Sequence, residues 1–288
     1  MTIHGAVSQC ARGSPSRLWV HTDVMPLPHE TYLSHLRTES ERFLDVLRDA
    51  DPALPVPSCP QWRSDDLLWH LGEVQWFWGS VVAERLQRVQ DLEKPTRPDS
   101  HAGLADFFTE QSARLHDALS STDPAEHVYM WADDKSVGYI GRRQAHEALI
   151  HRLDAELTVD QVTPLDAELA ADGVDEVLRI MFGGCPPWGS FSPSSTHVQV
   201  TASDTGTVVP VVLGRFTGTD PDSGTTYDDQ ELSVTAADPG AMPQATVRGT
   251  AEDLDAWLWH RRDDAALTVE GDEQAFALLA QVLSQPID

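Results

Sequence analysis

Residues 140–157 read IGRRQAHEALIHRLDAEL, and this stretch carries the clearest structural signal in the chain. Leu149, Ile150, Leu153 and Leu157 recur at spacings of three and four residues, which places them on one side of a helix. Most of the remaining positions are charged or carry an imidazole. The stretch therefore predicts an amphipathic helix that packs through one apolar stripe.

Three further helices are predicted upstream of this one. Apolar residues recur with a helical period over residues 29–50, and Ser64 with the two aspartates after it favours a helix start for residues 65–90. The third repeat runs from Leu104 to Leu119. Four helices of this length joined by loops predict a four-helix bundle, whose core can hold ligand or metal sites on facing helices.

The pattern changes after Pro164. A short helix over residues 166–182 precedes a turn-forming run (183–195), and alternating polar and apolar positions then indicate strands. The predicted strands are residues 197–203, 207–216, 230–236, 245–249 and 266–269, and two more helices are predicted at 252–260 and 272–284. This order predicts an α+β domain with a mainly antiparallel sheet covered by helices.

Together these elements predict two domains, an α bundle and an α+β domain. We place the bundle at residues 28–162 and the second domain at 163–288, which suits a chain of 288 residues. Residues 1–27 show no helical or alternating period, so we interpret them as a disordered leader or as a start codon placed too early.

The composition excludes several classes of partner. The chain has 46 acidic and 20 basic residues and a formal charge of -26, which repels nucleic acids and anionic membranes. It shows no membrane-length apolar run and no secretion signal, so we expect a cytoplasmic protein. The three cysteines (Cys10, Cys59, Cys185) have neither disulfide nor metal spacing, which predicts free thiols. Arginine accounts for all but two of the basic residues, which is typical of proteins encoded by GC-rich bacterial genomes.

Candidate metal ligands lie on the fourth helix. His146 and His151 are five residues apart and point about 140° away from each other, so they cannot form the paired-histidine zinc motif of one helix. Glu147 and His151 are four apart and lie on the same face. Asp154 continues this face one turn later, where a carboxylate can orient His151 or complete the site.

A third ligand is available on the second helix. His70 belongs to the apolar stripe of that helix, which directs its imidazole toward the bundle interior. Two imidazoles and one carboxylate form a standard set of protein ligands for catalytic zinc, with one position open to water or substrate. The set leaves Zn²⁺ with one net positive charge, which favours binding of a thiolate.

Each of these residues also has a simpler interpretation. A single histidine on an apolar helix face is more often a hydrogen-bonded core residue than a ligand. Glu147 and His151 can form an ordinary surface pair, worth a few tenths of a kcal/mol. The arginines of the fourth helix, Arg142, Arg143 and Arg152, are expected to face solvent, although an arginine beside a cation can also hold a substrate carboxylate.

Two helical motifs in this order resemble the mycothiol-dependent maleylpyruvate isomerase family. They are WRSDDLLWHLGEV at residues 62–74 and HEALIHRLDAE at residues 146–156. The segment VRGTAEDLDAWLWHR at residues 247–261 resembles the closing strand, helix and arginine of the same family. The resemblance covers about residues 28–285 and implies a DinB-like fold for the bundle.

The resemblance also implies ligands and a reaction. It assigns a divalent metal, zinc or another, to His70, Glu147 and His151, and it implies that mycothiol attacks an unsaturated or electrophilic small molecule, giving cis–trans isomerisation or thiol transfer. Arg261 aligns with a family arginine that is thought to assist the reaction, which makes it a candidate catalytic residue. His260 stands where many relatives have glycine.

Two other function classes stay open at this stage. A metal-dependent hydrolase would use the same three residues to activate water, and it would need no thiol. A non-enzymatic metal-binding or regulatory protein would hold a structural metal or none. A metal assay and a thiol requirement separate these classes from a thiol-dependent isomerase or transferase.

Overall fold

The structure is a computed structural model that describes residues 25–238 and 240–285. Almost all of the predicted leader, including Cys10, lies outside these residues. In chain order the regular elements are α1 (His29–Leu47), α2 (Ser64–Ala83), α3 (His101–Ser121), α4 (Val137–Thr158), α5 (Ala167–Glu176), β1 (Gly189–Ala202), β2 (Val208–Thr219), β3 (Thr226–Ser233), β4 (Ala245–Gly249), α6 (Ala251–Leu258), β5 (Thr268–Gly271) and α7 (Glu273–Leu283). None of the described helices is long and apolar enough to cross a membrane.

The first four helices form the helical half. α1 packs against α4 and α2 against α3, and fully buried residues such as Phe43, Leu71 and Phe108 fill the space between them. Side-chain caps fix two of the helix starts, because Ser100 and Ser136 accept hydrogen bonds from the third residue after each of them. These caps set where α3 and α4 begin, and α4 carries the candidate ligands.

The second half is built on one five-stranded sheet with strand order β3-β2-β1-β4-β5. Only β1 and β4 pair in parallel, and the other three pairs are antiparallel. α6, α7 and a π-helical segment (Val177–Phe182) that continues α5 pack against the sheet. The predicted fold class, a helical domain followed by an α+β domain with a mainly antiparallel sheet, is confirmed.

The first and third strands begin earlier than the sequence predicts. β1 starts at Gly189 rather than at residue 197, so residues 189–193 of the run predicted as a turn are paired with β2, with an irregularity between Pro193 and His197. Gly189 in this run lacks a side chain, and the ring of Phe216 covers it instead. β3 starts at Thr226, before the predicted start at residue 230. Its first half is exposed and acidic and forms the edge of the sheet, where apolar alternation is not required, so the sequence pattern did not reveal it.

Three helices end at residues with left-handed backbone conformation that are not glycine. Arg85, Asp160 and His260 have φ values of 53, 56 and 60°. In each case the next amide donates to a carbonyl five residues back, as in Leu86 to Val81 (3.0 Å), which is the Schellman arrangement. No glycine marks the end of the second helix in the sequence. The sequence therefore predicted a helix that continues to residue 90, whereas α2 ends at Ala83.

The interface between α5 and α6 buries a carboxyl group that lacks a partner. Asp255 is 1 % exposed, and neither of its side-chain oxygens has a hydrogen-bond partner within the described residues. A Cβ at Gly173 would lie 3.0 Å from each of these oxygens, so glycine makes room for the group. Burial and the nearby Glu176 raise the pKa of Asp255 well above its usual value.

We expect Asp255→Asn to stabilise the protein increasingly as the pH rises. The pKa of Asp255 is higher in the folded state, so its contribution is most favourable below the unfolded-state pKa and is lost as the pH rises toward the folded-state pKa. Urea unfolding should show nearly equal stability for wild type and variant near pH 4, and an advantage of about 1–3 kcal/mol for the variant at pH 8. Asp106→Asn, on the exposed face of α3, is the control. A difference that does not change with pH would contradict this prediction.

Candidate metal centre

Three side chains from two helices of the helical half converge on one point. His70 comes from α2, and Glu147 and His151 come from α4. One potential ligand atom from each lies within 4.8 Å of those of the other two. Oε1 of Glu147 is 3.2 Å from Nε2 of His151 and 3.7 Å from Nε2 of His70. One carboxylate oxygen therefore faces both imidazoles.

Asp154 fixes the ring of His151. Its Oδ2 lies 2.9 Å from Nδ1 of His151, one turn along α4. When His151 is neutral and its Nδ1 proton is donated to this carboxylate, the lone pair of Nε2 points toward Glu147 and His70. Ser58 and Arg261 donate hydrogen bonds to the same carboxylate, at 2.5 Å and at 2.8–2.9 Å. The orientation of His151 thus depends on a loop of the helical half and on the segment that follows α6.

Arg143 holds the other oxygen of Glu147. Its Nη2 donates to Oε2 of Glu147 at 3.1 Å, and its Nη1 donates to Glu176 on α5. The guanidinium also lies 5.3 Å from the ring centre of Trp259, in cation–π contact. This arrangement leaves Oε1 of Glu147 directed at the histidines.

His70 forms the more open side of the centre. Its side chain is 33 % exposed, against 21 % for Glu147 and 9 % for His151. The ring of Trp62 lies 4.7 Å from that of His70 and holds it from one side, and the ring of His151 lies 4.8 Å away in an edge-on arrangement. A small molecule reaches the centre most easily along this side.

The electrostatics of the centre favour a cation. Burial by itself raises the pKa of Glu147, but the neighbouring His151 and His70 outweigh burial and hold it well below its usual value. Burial by itself lowers the pKa of His151, yet hydrogen bonds to Asp154 and Glu147 raise it to about 9. Two ionised carboxylates therefore draw positive charge to this point.

The donor set fits a divalent metal. Zinc binds imidazole nitrogen and carboxylate oxygen at about 2.0–2.2 Å, which places tetrahedral ligand atoms about 3.3 Å apart. The observed separations of 3.2 and 3.7 Å from Oε1 of Glu147 lie close to this spacing. The hydrogen bond from His151 to Asp154 is the carboxylate–histidine arrangement common at zinc sites.

The arginines of α4 are placed differently from our expectation. Arg143 and Arg152 are 4 % and 3 % exposed rather than solvated, and Arg142 is also largely buried. Arg152 pairs with Glu39 and Glu156, and Arg142 pairs with Asp172 and Asp175. The expectation was wrong because α4 is enclosed by α1 and α5, whose carboxylates neutralise these charges.

His146 lies away from the candidate ligands. Its Nε2 lies 2.8 Å from Oδ2 of Asp172 on α5, in a fully buried pair. The five-residue spacing therefore separates His146 from His151 in the way that the helical period predicts.

Arg261 reaches the centre through Asp154. Its Nε and Nη2 both donate to this carboxylate, and its Nη1 donates to the carbonyl of Trp259 at 2.6 Å. The left-handed residue before it, His260, turns the chain at the end of α6, which explains why glycine suits that position. The substitution of glycine by histidine does not prevent Arg261 from reaching Asp154.

Sequence reasoning missed the connection through Glu176. Arg143 and Glu147 are four residues apart on α4, which is a recognisable pair spacing. Glu176 carried no such signal, because it comes from a different element. Ser58, Trp62 and Trp259 were likewise not identified, since only the tertiary fold brings them to the centre.

Two family models match the chain, one for each half. Residues 33–156 match the mycothiol maleylpyruvate isomerase N-terminal domain, and residues 168–278 match the C-terminal domain of the same family. The chain belongs to the mycothiol maleylpyruvate isomerase family. The sequence-based resemblance is thereby confirmed, as is the prediction of an enzyme of this family.

Solved structures share the fold of this family member. A crystal structure of the mycothiol-dependent maleylpyruvate isomerase superimposes with a TM-score of 0.53 at 14 % identity, covering 85 % of this chain and 95 % of that one. A histidine-to-alanine mutant of that isomerase gives a TM-score of 0.52 at 12 % identity with the same coverage. No curated protein matches the sequence closely enough to count as a relative. At such low identity the likeness concerns the fold.

Proposed function

We propose that this chain is a mycothiol-dependent isomerase that acts on maleylpyruvate or a related cis-unsaturated acid. The observation that carries the proposal is the convergence of His70, Glu147 and His151, in a chain whose two halves both match the family. We propose that these three residues hold a divalent metal, zinc in the first instance. Such a metal would supply a Lewis acid that lowers the pKa of a thiol.

The residues around the centre have distinct roles in this proposal. Asp154 keeps the Nε2 lone pair of His151 directed inward, and Arg261 keeps Asp154 in place. Arg143 binds Oε2 of Glu147, which leaves only Oε1 available to the metal. The hydrogen bonds of Arg261 to Asp154 make it a positioning residue, which acts on the site through His151, rather than a group whose guanidinium is free for substrate.

The reaction requires a reversible thiol addition. The thiolate sulfur forms a C–S bond to one alkene carbon, and the π electrons move toward the conjugated carbonyl. The former double bond is then single and rotates. Expulsion of the thiolate restores the double bond in the trans form, so the thiol is regenerated and no oxidant is consumed.

The thiol requirement tests this proposal. Purified metal-loaded protein should convert maleylpyruvate to its trans isomer with mycothiol present, and at a rate at least about 10²-fold lower without it, because the nucleophile is then missing. Proton NMR of the alkene signals follows both isomers directly. Cysteine in place of mycothiol is the control for a general thiol effect.

Other outcomes identify the competing functions. Equal conversion with and without thiol would contradict the proposal, and release of a hydrolysis product under both conditions would favour a metal-dependent hydrolase. Stoichiometric metal with no conversion of any tested cis-unsaturated acid would favour a binding or regulatory protein.

A further inference from the structure

A cavity lies on the α+β half, and none of the residues of the candidate metal centre lines it. Its volume is about 220 Å³, and it lies between the sheet and the segment that links the π-helical turn to β1. The π-helical turn contributes Met181 and Phe182, the linking segment contributes Cys185, and the sheet contributes four aromatic or acidic side chains. This cavity is smaller than those that hold drug-sized molecules, so it suits a compact ligand.

The floor of the cavity is aromatic. Phe191 on β1 and Phe216 on β2 are directly paired, and Tyr227 on β3 lies on the same face of the sheet. Trp188 precedes β1 and lies 5.5 Å from the ring of Phe216 and 5.7 Å from that of Tyr227. Four aromatic rings therefore form one side of the cavity.

Glycines allow these rings to lie close to the backbone. A Cβ at Gly189 would lie 2.1 Å from Cε2 of Phe216, and a Cβ at Gly214 would lie 2.5 Å from Cζ of Phe191. No residue with a side chain fits at either glycine position without displacing these rings. The aromatic surface thus depends on side-chain-free positions in neighbouring strands, which is a specific arrangement rather than ordinary exposed apolar surface.

One carboxyl group without a side-chain partner among the described residues faces this aromatic surface. Glu231 lies opposite Gly214 in the pairing of β3 with β2, on the same face as the rings. Its carboxyl group forms no ion pair and accepts no side-chain hydrogen bond from any described residue. Burial and the nearby Asp229 raise the pKa of Glu231 to about 7. The described lining includes no lysine, arginine or histidine.

We propose that this cavity is a binding site for a small organic cation, with Glu231 as its counter-ion. An ammonium group would form a charge-assisted hydrogen bond to the carboxylate, and the apolar part of the ligand would pack on the rings of Trp188, Phe216 and Tyr227. A neutral ligand would gain only the apolar contacts, and an anion would be repelled by Glu231 and Asp229. The formal charge of -26 further raises the local concentration of cations.

Titration of the full-length protein with a matched set of probes tests this site. The probes are 2-phenylethylammonium, the neutral 2-phenylethanol and the anionic 3-phenylpropanoate, measured by calorimetry at pH 8 and low salt with a chelator present. We expect a Kd on the order of 0.1–1 mM for the ammonium probe. We expect the alcohol to bind at least about tenfold more weakly and the anion not to bind.

Variants locate the binding. Glu231→Gln should weaken binding of the ammonium probe by about tenfold or more and leave binding of the alcohol unchanged, because the substitution removes the charge of the side chain and preserves its shape. Glu270→Gln, on β5 at the opposite edge of the sheet, is the matched control and should have no effect. Any of three results would overturn the proposal. They are equal binding of the ammonium probe and the alcohol to wild type, no binding of the ammonium probe up to about 10 mM, and undiminished binding of the ammonium probe by Glu231→Gln. Since a chelator is present, loss of the proposed isomerase function would not affect this result.

Discussion

We expect the wild-type protein to retain a divalent metal through dialysis, and we expect His151→Ala and His70→Ala each to lose it. Each substitution removes one of the three proposed ligands, and His151→Ala also leaves the buried carboxylate of Asp154 without its imidazole partner. Loss of an outer residue that orients a ligand already weakens metal binding by about 10–100-fold. Loss of the ligand itself should weaken it by at least about 10²-fold.

The measurement is metal per chain by mass spectrometry, together with turnover. Wild type should carry about one metal ion per chain, as the one three-ligand set among the described residues requires, and the two variants less than about a tenth of this. His127→Ala, an exposed histidine outside the helices, is the matched control and should retain metal and activity. If both ligand variants bind as much metal as wild type, the proposed metal ligands are wrong.

Arg143→Met is expected to be the most destabilising single substitution near the centre. The arginine is 4 % exposed and links two carboxylates, Glu147 and Glu176, the second of which is fully buried. Methionine preserves most of the apolar volume but leaves both carboxylates without their cation. Breaking a buried ion pair in this way costs about 3–5 kcal/mol.

A double-mutant cycle separates charge pairing from packing. Arg143→Met combined with Glu176→Gln should recover part of the lost stability, because the second change removes one uncompensated charge. Arg143→Lys should give an intermediate loss, since an ammonium group cannot reproduce the two-sided guanidinium contact. Urea unfolding measures stability, and metal titration should show weaker binding for Arg143→Met because Glu147 is then free to turn.

Arg179→Met provides the comparison for a less buried pair. Arg179 is 30 % exposed and pairs with Asp175 four residues earlier on the helix, so its removal should cost about 1 kcal/mol or less. Should Arg143→Met prove no more costly than Arg179→Met, the proposed role of Arg143 in holding Glu147 would be incorrect.

The helical period was sufficient to place the two candidate ligands on α4. Glu147 and His151 share a face of α4 because their spacing is close to one turn, and His146 was placed elsewhere by the same rule. Whether these residues hold a metal stays a prediction, as does the domain boundary at residue 162. The spacing could not show that His70 on α2 faces the same point, since α2 packs mainly on α3.

Burial of charge was the main point that sequence reasoning missed. Arginine is usually exposed, so Arg143 and Arg152 were expected in solvent. Their burial depends on carboxylates from α1 and α5, which are between 33 and 113 residues away in the chain. Spacing within one helix cannot reveal a partner on another helix.

Local sequence by itself determined where the helices lie, the succession of helices and strands along the chain and the face on which Glu147, His151 and Asp154 lie, because these follow from periodicity over a few residues. The tertiary structure decided the rest. It brought Arg261 to Asp154 and Glu176 to Arg143, so that both candidate ligands on α4 are restrained from the α+β half. Such contacts depend on how two packed surfaces meet, and the energy of a buried charge is set by all the groups around it.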